Sequence, residues 1–229
     1  SGPCAPDPST YQEAMEILTR FRLTVSEAVM LRLQAGIDGR IPETPKPGDK
    51  AFDRVENRVI ATSQTALQGA ARFFRDNGLP IAILGDSVTG EASEVAKVHG
   101  ALLHQIARYG EPWTPPVALI SGGECTVTLR GNGQGGRCTE FLLALARNCG
   151  SMPNLWALAC DTDGIDGSGD NAGALLLPDS MRRAAGMGID PARLAANNDS
   201  RAFFNALDDL VVTGPTRTNV NDYRAMLML

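Results

Sequence analysis

Residues 79–123 read LPIAILGDSVTGEASEVAKVHGALLHQIARYGEPWTPPVALISGG. The run 79–84 is short, apolar and bounded by breakers, the pattern of a strand buried on both faces. Residues 91–109 place apolar side chains at helical spacing, and Pro112, Pro115 and Pro116 then break the chain. Residues 117–120 form a second buried run. Strand, long helix, strand is the repeat of an α/β layered fold.

The same alternation extends outward. Residues 58–61 read as a strand and 64–77 as a helix, ended by Gly78 just past its last turn. Downstream, 125–129, 155–160, 174–177 and 210–213 read as strands, and 137–148 as a helix. The expected fold class is α/β, a layered and mostly parallel sheet with flanking helices. Upstream, Ala14, Ile17, Leu18 and Phe21 mark a helix that begins near Thr10, and a second short helix covers 26–35. Residues 36–50 are rich in Gly and Pro and read as a linker. The division expected is therefore a helical segment and linker at 1–50 and an α/β domain at 51–229.

Composition narrows the function classes. The net charge is −5, with 43% apolar and 21% charged residues, and no long basic run occurs. That argues against nucleic-acid or membrane-surface binding. No stretch approaches the ~18 apolar residues of a membrane helix. Ser1-Gly2-Pro3 offers neither an initiator Met nor a signal core, so the chain reads as processed or cut from something longer. Cys4, Cys125, Cys138, Cys149 and Cys160 show no CxxC pair. Reduced thiols in a cytoplasmic protein fit better than a disulfide scaffold or a zinc site. His99 and His104, five apart, are poorly spaced to share a metal.

In α/β sheets ligands collect beyond the carboxyl ends of strands. Four polar, Gly-rich segments follow strands here: Gly85-Asp86-Ser87, Ser121-Gly122-Gly123-Glu124, residues 161–167 and residues 213–222. Residues 131–136, Gly-Asn-Gly-Gln-Gly-Gly, contain G-x-G-x-x-G between a strand and a helix. The strand before them alternates apolar and polar residues, unlike the buried strand of a dinucleotide fold. A loop whose amides at Gly133, Gly135 and Gly136 hold a phosphate is the reading preferred, with a dinucleotide loop or a plain turn as alternatives. Arg137 follows at a helix start, where a cation opposes the helix dipole, so a guanidinium fork for an anion explains it better than stability. Glu140, one turn on, orients Arg137 or stabilises the helix start. Asp161, Asp163 and Asp166 alternate in one loop, as carboxylates that collect Mg²⁺ do; an acidic turn is the alternative. Thr213, Thr216 and Asn219 could hold a carboxylate, a sugar hydroxyl or a phosphate, or simply cap a loop. There is no P-loop lysine and no Ser-His-Asp or Cys-His arrangement.

In order and spacing, Ser121 to Glu124, the glycine loop with Arg137, the segment Glu140-Phe141-Leu142-Leu143-Ala144, the aspartate loop and the 213–222 segment resemble the C-terminal MOFRL region of the glycerate 2-kinase family, at about residues 117–222. Members are often labelled hydroxypyruvate reductases. The resemblance implies transfer of phosphate from ATP, with Mg²⁺, to the 2-hydroxyl of D-glycerate. It implies Arg137, Asp161 and Asp163 in catalysis, and Ser121, Gly122, Gly123, Glu124, Gly133, Gly135, Gly136, Thr213, Thr216 and Asn219 around substrate or phosphate. Asp161, Asp163 and Asp166 are the implied metal ligands. It also implies an absent N-terminal domain of the same protein that supplies a lysine, and leaves this fragment inactive alone. A homodimer stands open. A reductase and a non-catalytic sugar-acid-binding module are the alternatives. The chain departs from the family pattern at Cys125, at Cys138-Thr139, where Asn-Gln is common, and at Arg217, where Gly is common.

Overall fold

The computed structural model describes residues 4–150 and 152–229; the opening Ser1-Gly2-Pro3 lies outside the described residues. The chain forms two compact units, one ending at Ile60 and the other spanning Ala61–Leu229.

In the first unit, α1 (Tyr11–Arg20) starts on a capping box. The Thr10 side chain accepts from the Glu13 amide, and the Glu13 side chain accepts from the Thr10 amide. It packs on α2 (Glu27–Ile37) where Gly36 meets the Tyr11 ring, a closeness that leaves no room for a Cβ. No large apolar side chain of either helix is fully buried within the unit. Residues 58–61 are not a strand: no neighbouring strand pairs with them, and Val59 and Ile60 are 79% and 90% exposed.

The second unit carries α3 (Ser63–Asp76), β1 (Ile81–Gly85), β2 (Gly90–Glu91), α4 (Ala92–Tyr109), β3 (Val117–Gly123), β4 (Cys125–Thr126) and α5 (Arg137–Cys149). Then come β5 (Leu155–Asp161), β6 (Gly173–Leu176), α6 (Ser180–Gly186), α7 (Pro191–Ala196), α8 (Ser200–Ala206), β7 (Leu210–Val211) and β8 (Asp222–Met228). The main sheet has the order β1-β3-β8-β5-β6-β7, and β2 pairs with β4 in a separate small ribbon.

Helices flank the sheet as the α/β reading expects, but the sheet is not mostly parallel. Within the main sheet, among the described residues, only β1 and β3 pair parallel; the pairings β3–β8, β8–β5, β5–β6 and β6–β7 are antiparallel. The cause is the last strand. β8 enters between β3 and β5 and runs against both, which a chain-order reading of alternating strands and helices does not anticipate.

Each side chain in β8 alternates faces. Ala225 and Ile120 meet Leu67 and Ala71 of α3 on one face. Met226, Met228, Leu119 and Ala157 face α4 and α5 on the other, with Phe141, Leu142 and Leu145 fully buried. Burying one such side chain contributes about 1.5–3 kcal/mol, and this face therefore anchors α5 firmly to the sheet.

Candidate functional site

The site begins with strand register. At one edge of the sheet Gly123 of β3 lies opposite Asp222 of β8, and Asp222 lies opposite Asp161 of β5. The carboxyl ends of β3 and β5 and the amino end of β8 therefore meet in one row. The start of α5 reaches the same row.

Arg137, the first residue of α5, is held there by carboxylates. Its Nη2 lies 2.5 Å from Asp161 Oδ2 and 3.1 Å from Asp222 Oδ1, and its Nη1 pairs with Glu124. The Asp161 and Asp222 side chains are 5% and 0% exposed, Glu124 is 53% exposed, and Arg137 itself 28%. Burial works against the guanidinium charge, but Asp222, then Asp161 and Glu124, outweigh it and hold the Arg137 pKa above its usual value. Burial pushes the Asp161 carboxyl up, while the Asp163 amide and Arg137 pull it back.

Two hollows flank Asp161. One, of about 520 Å³, is lined by Arg137, Glu140, Asp161 and Ile165 together with Gly133, Gly135 and Gly136. The other, of about 510 Å³, is lined by Asp161, Thr213, Thr216 and other threonines. Asp161 lines both.

The structure thus brings Arg137, Asp161 and Glu124 together. It also zips the aspartate loop to the 213–222 segment. The Thr162 amide donates to Asn221 O at 3.2 Å, the Thr216 amide to Asp163 O at 2.9 Å, and Asn219 Nδ2 to Asp163 Oδ2 at 3.3 Å. Gly164, at φ +95°, lets that loop touch the backbone of Gly214. Ser121, Gly122 and Gly123 do not line either hollow. Ser121 is buried beneath the site, its Oγ 3.2 Å from His99 Nε2, and the two glycines are packed against Ser63 and Val88.

The glycine loop is not a free phosphate cradle. The Arg130 and Gly131 amides donate to Asn198 Oδ1, Asn132 to Asn197 Oδ1, Gly133 to Asn197 O, Gln134 to Asp199 Oδ1 and Gly136 to Thr139 Oγ1. Any Cβ at Gly131, Gly133 or Gly135 would strike residues 197–200. These glycines allow close packing on the turn between α7 and α8. The N-terminus of α5, where a phosphate would sit, holds Asp166 instead. Its Oδ1 accepts from the Cys138 amide at 2.9 Å and its Oδ2 from the Thr139 amide at 2.9 Å.

That corrects the expected metal trio. Asp166 is 1% exposed and occupied as a cap, and among the described residues no group of three His, Cys, Asp or Glu is placed to hold a metal ion. Asp163 accepts from the Ile165 amide in a local turn. Asp161 and Asp163 remain neighbours on one loop, the Asp163 amide donating to Asp161 Oδ1 at 3.2 Å.

Two residues at this centre escaped the sequence reading. Asp222 enters the sequence pattern only as the end of the 213–222 segment, and Arg224 lies beyond it. An acid and a base two apart at the start of an apolar strand point to the same face, and that signal was available.

Residues 117–222 match the MOFRL family. The MOFRL region contains every residue of the row just described. Over its whole length the chain is 44% identical to a protein of Agrobacterium vitis with a provisional hydroxypyruvate reductase name, covering 51% of that protein. It is 34% identical to a glycerate 2-kinase of Pyrococcus horikoshii, with 96% of this chain and 50% of that one aligned. A crystal structure of glycerate kinase from Thermotoga maritima superposes with a TM-score of 0.80 at 31% identity, covering 100% of this chain and 53% of that one. The chain spans about half the length of these relatives. Both names thus attach to similar proteins, and the resemblance to glycerate 2-kinases read from the motifs holds.

Proposed function

We propose that this chain is the MOFRL-containing part of an ATP-dependent glycerate 2-kinase, which phosphorylates the 2-hydroxyl of D-glycerate in the longer protein. The observation that carries the reading is Arg137, a guanidinium fixed by Asp161 and Asp222 at the wall of a hollow of about 520 Å³. Phosphoryl transfer rests on positioning and on neutralising negative charge, and a planar cation fork suits both phosphate and carboxylate. Asp161 and Asp163 would take Mg²⁺ carried by the nucleotide, an ion that neutralises phosphate charge. The reductase reading lacks support at the residues it needs. The G-x-G-x-x-G loop follows a two-residue strand outside the main sheet, and Asp166 occupies the helix N-terminus that a dinucleotide pyrophosphate requires.

The remaining assignments belong to the same proposal. Thr213, Thr216 and Asn219 border the substrate on the threonine-lined side, and a lysine from an N-terminal domain completes the catalytic set, so the fragment alone is inactive. A cytoplasmic setting accords with the thiols, and no helix among the described residues is long and apolar enough to cross a membrane. The test is to incubate the full-length parent with D-glycerate and ATP, following ADP release beside NAD(P)H oxidation with hydroxypyruvate. ADP and 2-phosphoglycerate are expected; hydride transfer without ATP consumption would overturn the assignment.

A further inference from the structure

Arg224 is the largest fully buried side chain of the described residues, at 0% exposure. Its Nη2 donates to Asp222 Oδ2 at 2.7 Å and lies 3.0 Å from Cys125 Sγ, and its Nη1 donates to Gly122 O at 3.3 Å. The guanidinium carbon stands 5.4 Å from the Phe141 ring centroid. Asp222 Oδ2 also accepts the Cys125 amide at 3.3 Å. Its other oxygen, Oδ1, takes no directed hydrogen bond and faces Arg137 Nη2 as an ion pair.

A buried ion pair is costly to form, and hydrophobic residues of similar volume often serve stability as well or better. Stability alone therefore explains Asp222 and Arg224 poorly. Their geometry has a different consequence. Arg224 grips the β3–β4 corner and Asp222; Asp222 grips Arg137. The inner edge of Arg137 is thereby tied to the sheet through Asp161 and through the fully buried Asp222, which Arg224 holds in turn, while its Nη1 is met by Glu124, which is half exposed.

We propose that Asp222, with Arg224 as its buried counter-charge, is a positioning residue that fixes Arg137, and that Glu124 occupies the Nη1 edge until a phosphate or carboxylate group of a substrate displaces it. The proposal rests on reading Arg137 as the anion-binding group, but not on phosphate being transferred. A charge-assisted contact with an exposed partner is weak and exchangeable, whereas one with a fully buried partner is not.

The test uses this 229-residue chain, labelled with ¹⁵N-arginine, with inorganic phosphate as the probe. Phosphate is expected to shift the Arg137 guanidinium signals and leave those of Arg224 in place. Glu124→Gln should tighten phosphate binding about 5-fold by removing a weak competitor. Asp222→Asn should speed rotation of the Arg137 guanidinium, although Asp161 still meets Nη2, and weaken phosphate binding about 5-fold, the loss of one ion pair. Asp222→Asn leaves Arg224 buried and unpaired, which threatens folding. The double variant Asp222→Asn with Arg224→Met removes both charges. It is expected to restore cooperative unfolding without restoring phosphate affinity or slow Arg137 rotation. If the double variant regains wild-type affinity, the pair is structural and the positioning role is wrong. No response of Arg137 to phosphate, or weaker binding in Glu124→Gln, would overturn the displacement. A kinase assay that fails while these shifts appear would count against the proposed function alone.

Discussion

Asp166 Oδ2 accepts both the backbone N–H of Thr139, at 2.9 Å, and its hydroxyl, at 2.7 Å. Thr139 Oγ1 is also 3.0 Å from Ser200 Oγ, so one threonine joins α5 to the aspartate loop and to α8. A glutamine, common at this position in the resembling family, would have to fill a site that is fully buried here. The substitution therefore belongs to the packing of the loop as much as to ligand choice.

A carboxylate that satisfies amides at the first turn of a buried helix acts as a cap, and removing it leaves buried donors unpaired. Asp166→Ala is expected to destabilise the chain by about 2–4 kcal/mol. Chemical denaturation with and without Mg²⁺ checks this. The loss should be the same in both, because a cap needs no ion. A loss seen only with Mg²⁺ present would return Asp166 to a metal-binding role.

Arg217 stands at φ +62°, and its side chain is exposed. A left-handed backbone costs a residue with a Cβ roughly 1 kcal/mol relative to glycine, partly offset by the greater freedom of glycine in the unfolded chain. Arg217→Gly should therefore stabilise by a few tenths to about 1 kcal/mol in thermal or denaturant unfolding. A destabilised variant would mean that the Arg217 side chain makes a contact worth more than its backbone strain.

The outline of the α/β core was legible because it depends on local pattern. The runs at 79–84, 117–120 and 155–160 are apolar throughout and became β1, β3 and β5. The direction of the sheet was not, because nothing in the residues of β8 says which pair of strands it will enter. Residues 58–61 have strand-like composition but no partner to pair with. The candidate site was legible in part. Glu124 and Asp161 follow strand ends, which sheet register brings near each other, and both meet Arg137 at the start of α5. The glycine loop misled because glycine permits two things, exposure of amides to a ligand and close approach of other backbone, and spacing does not distinguish them. What decides here is Asn197, Asn198 and Asp199, some 65 residues along the chain, which take up the loop amides.

Glu140 lines the hollow beside Arg137 and is 9% exposed. Burial first, then Glu91, raise its carboxyl above the ordinary value of 4.5, with Arg147 acting the other way. The folded chain thus holds this proton to higher pH than the unfolded chain does. Between the two pKa values the native state binds more protons, so this group's contribution falls as pH rises through that window. Glu140→Gln should raise the melting temperature at pH 7, at roughly 2–4 °C per kcal/mol for a chain of this size. The advantage should shrink as pH is lowered toward 4.5. Melting curves from pH 4.5 to 8 give the answer, and an advantage independent of pH would assign the effect to packing.

Arg137→Lys is expected to lower kcat/KM of the full-length parent at least ~10²-fold with little loss of stability, as removal of a preorganised electrostatic contact does. The argument is geometric. One guanidinium reaches Glu124 with Nη1 and both Asp161 and Asp222 with Nη2. A lysine places a single charge on one atom and cannot span those acceptors while presenting a second edge to a phosphate or carboxylate. Two carboxylates that are nearly buried would remain near a cation, so the fold is spared the unpaired charges that Arg137→Ala would leave. The comparison of Lys with Ala therefore separates the roles. Loss of activity in both variants with loss of stability only in Ala identifies a directional contact with substrate. Full activity in Arg137→Lys would reduce Arg137 to a counter-charge for Asp161 and Asp222.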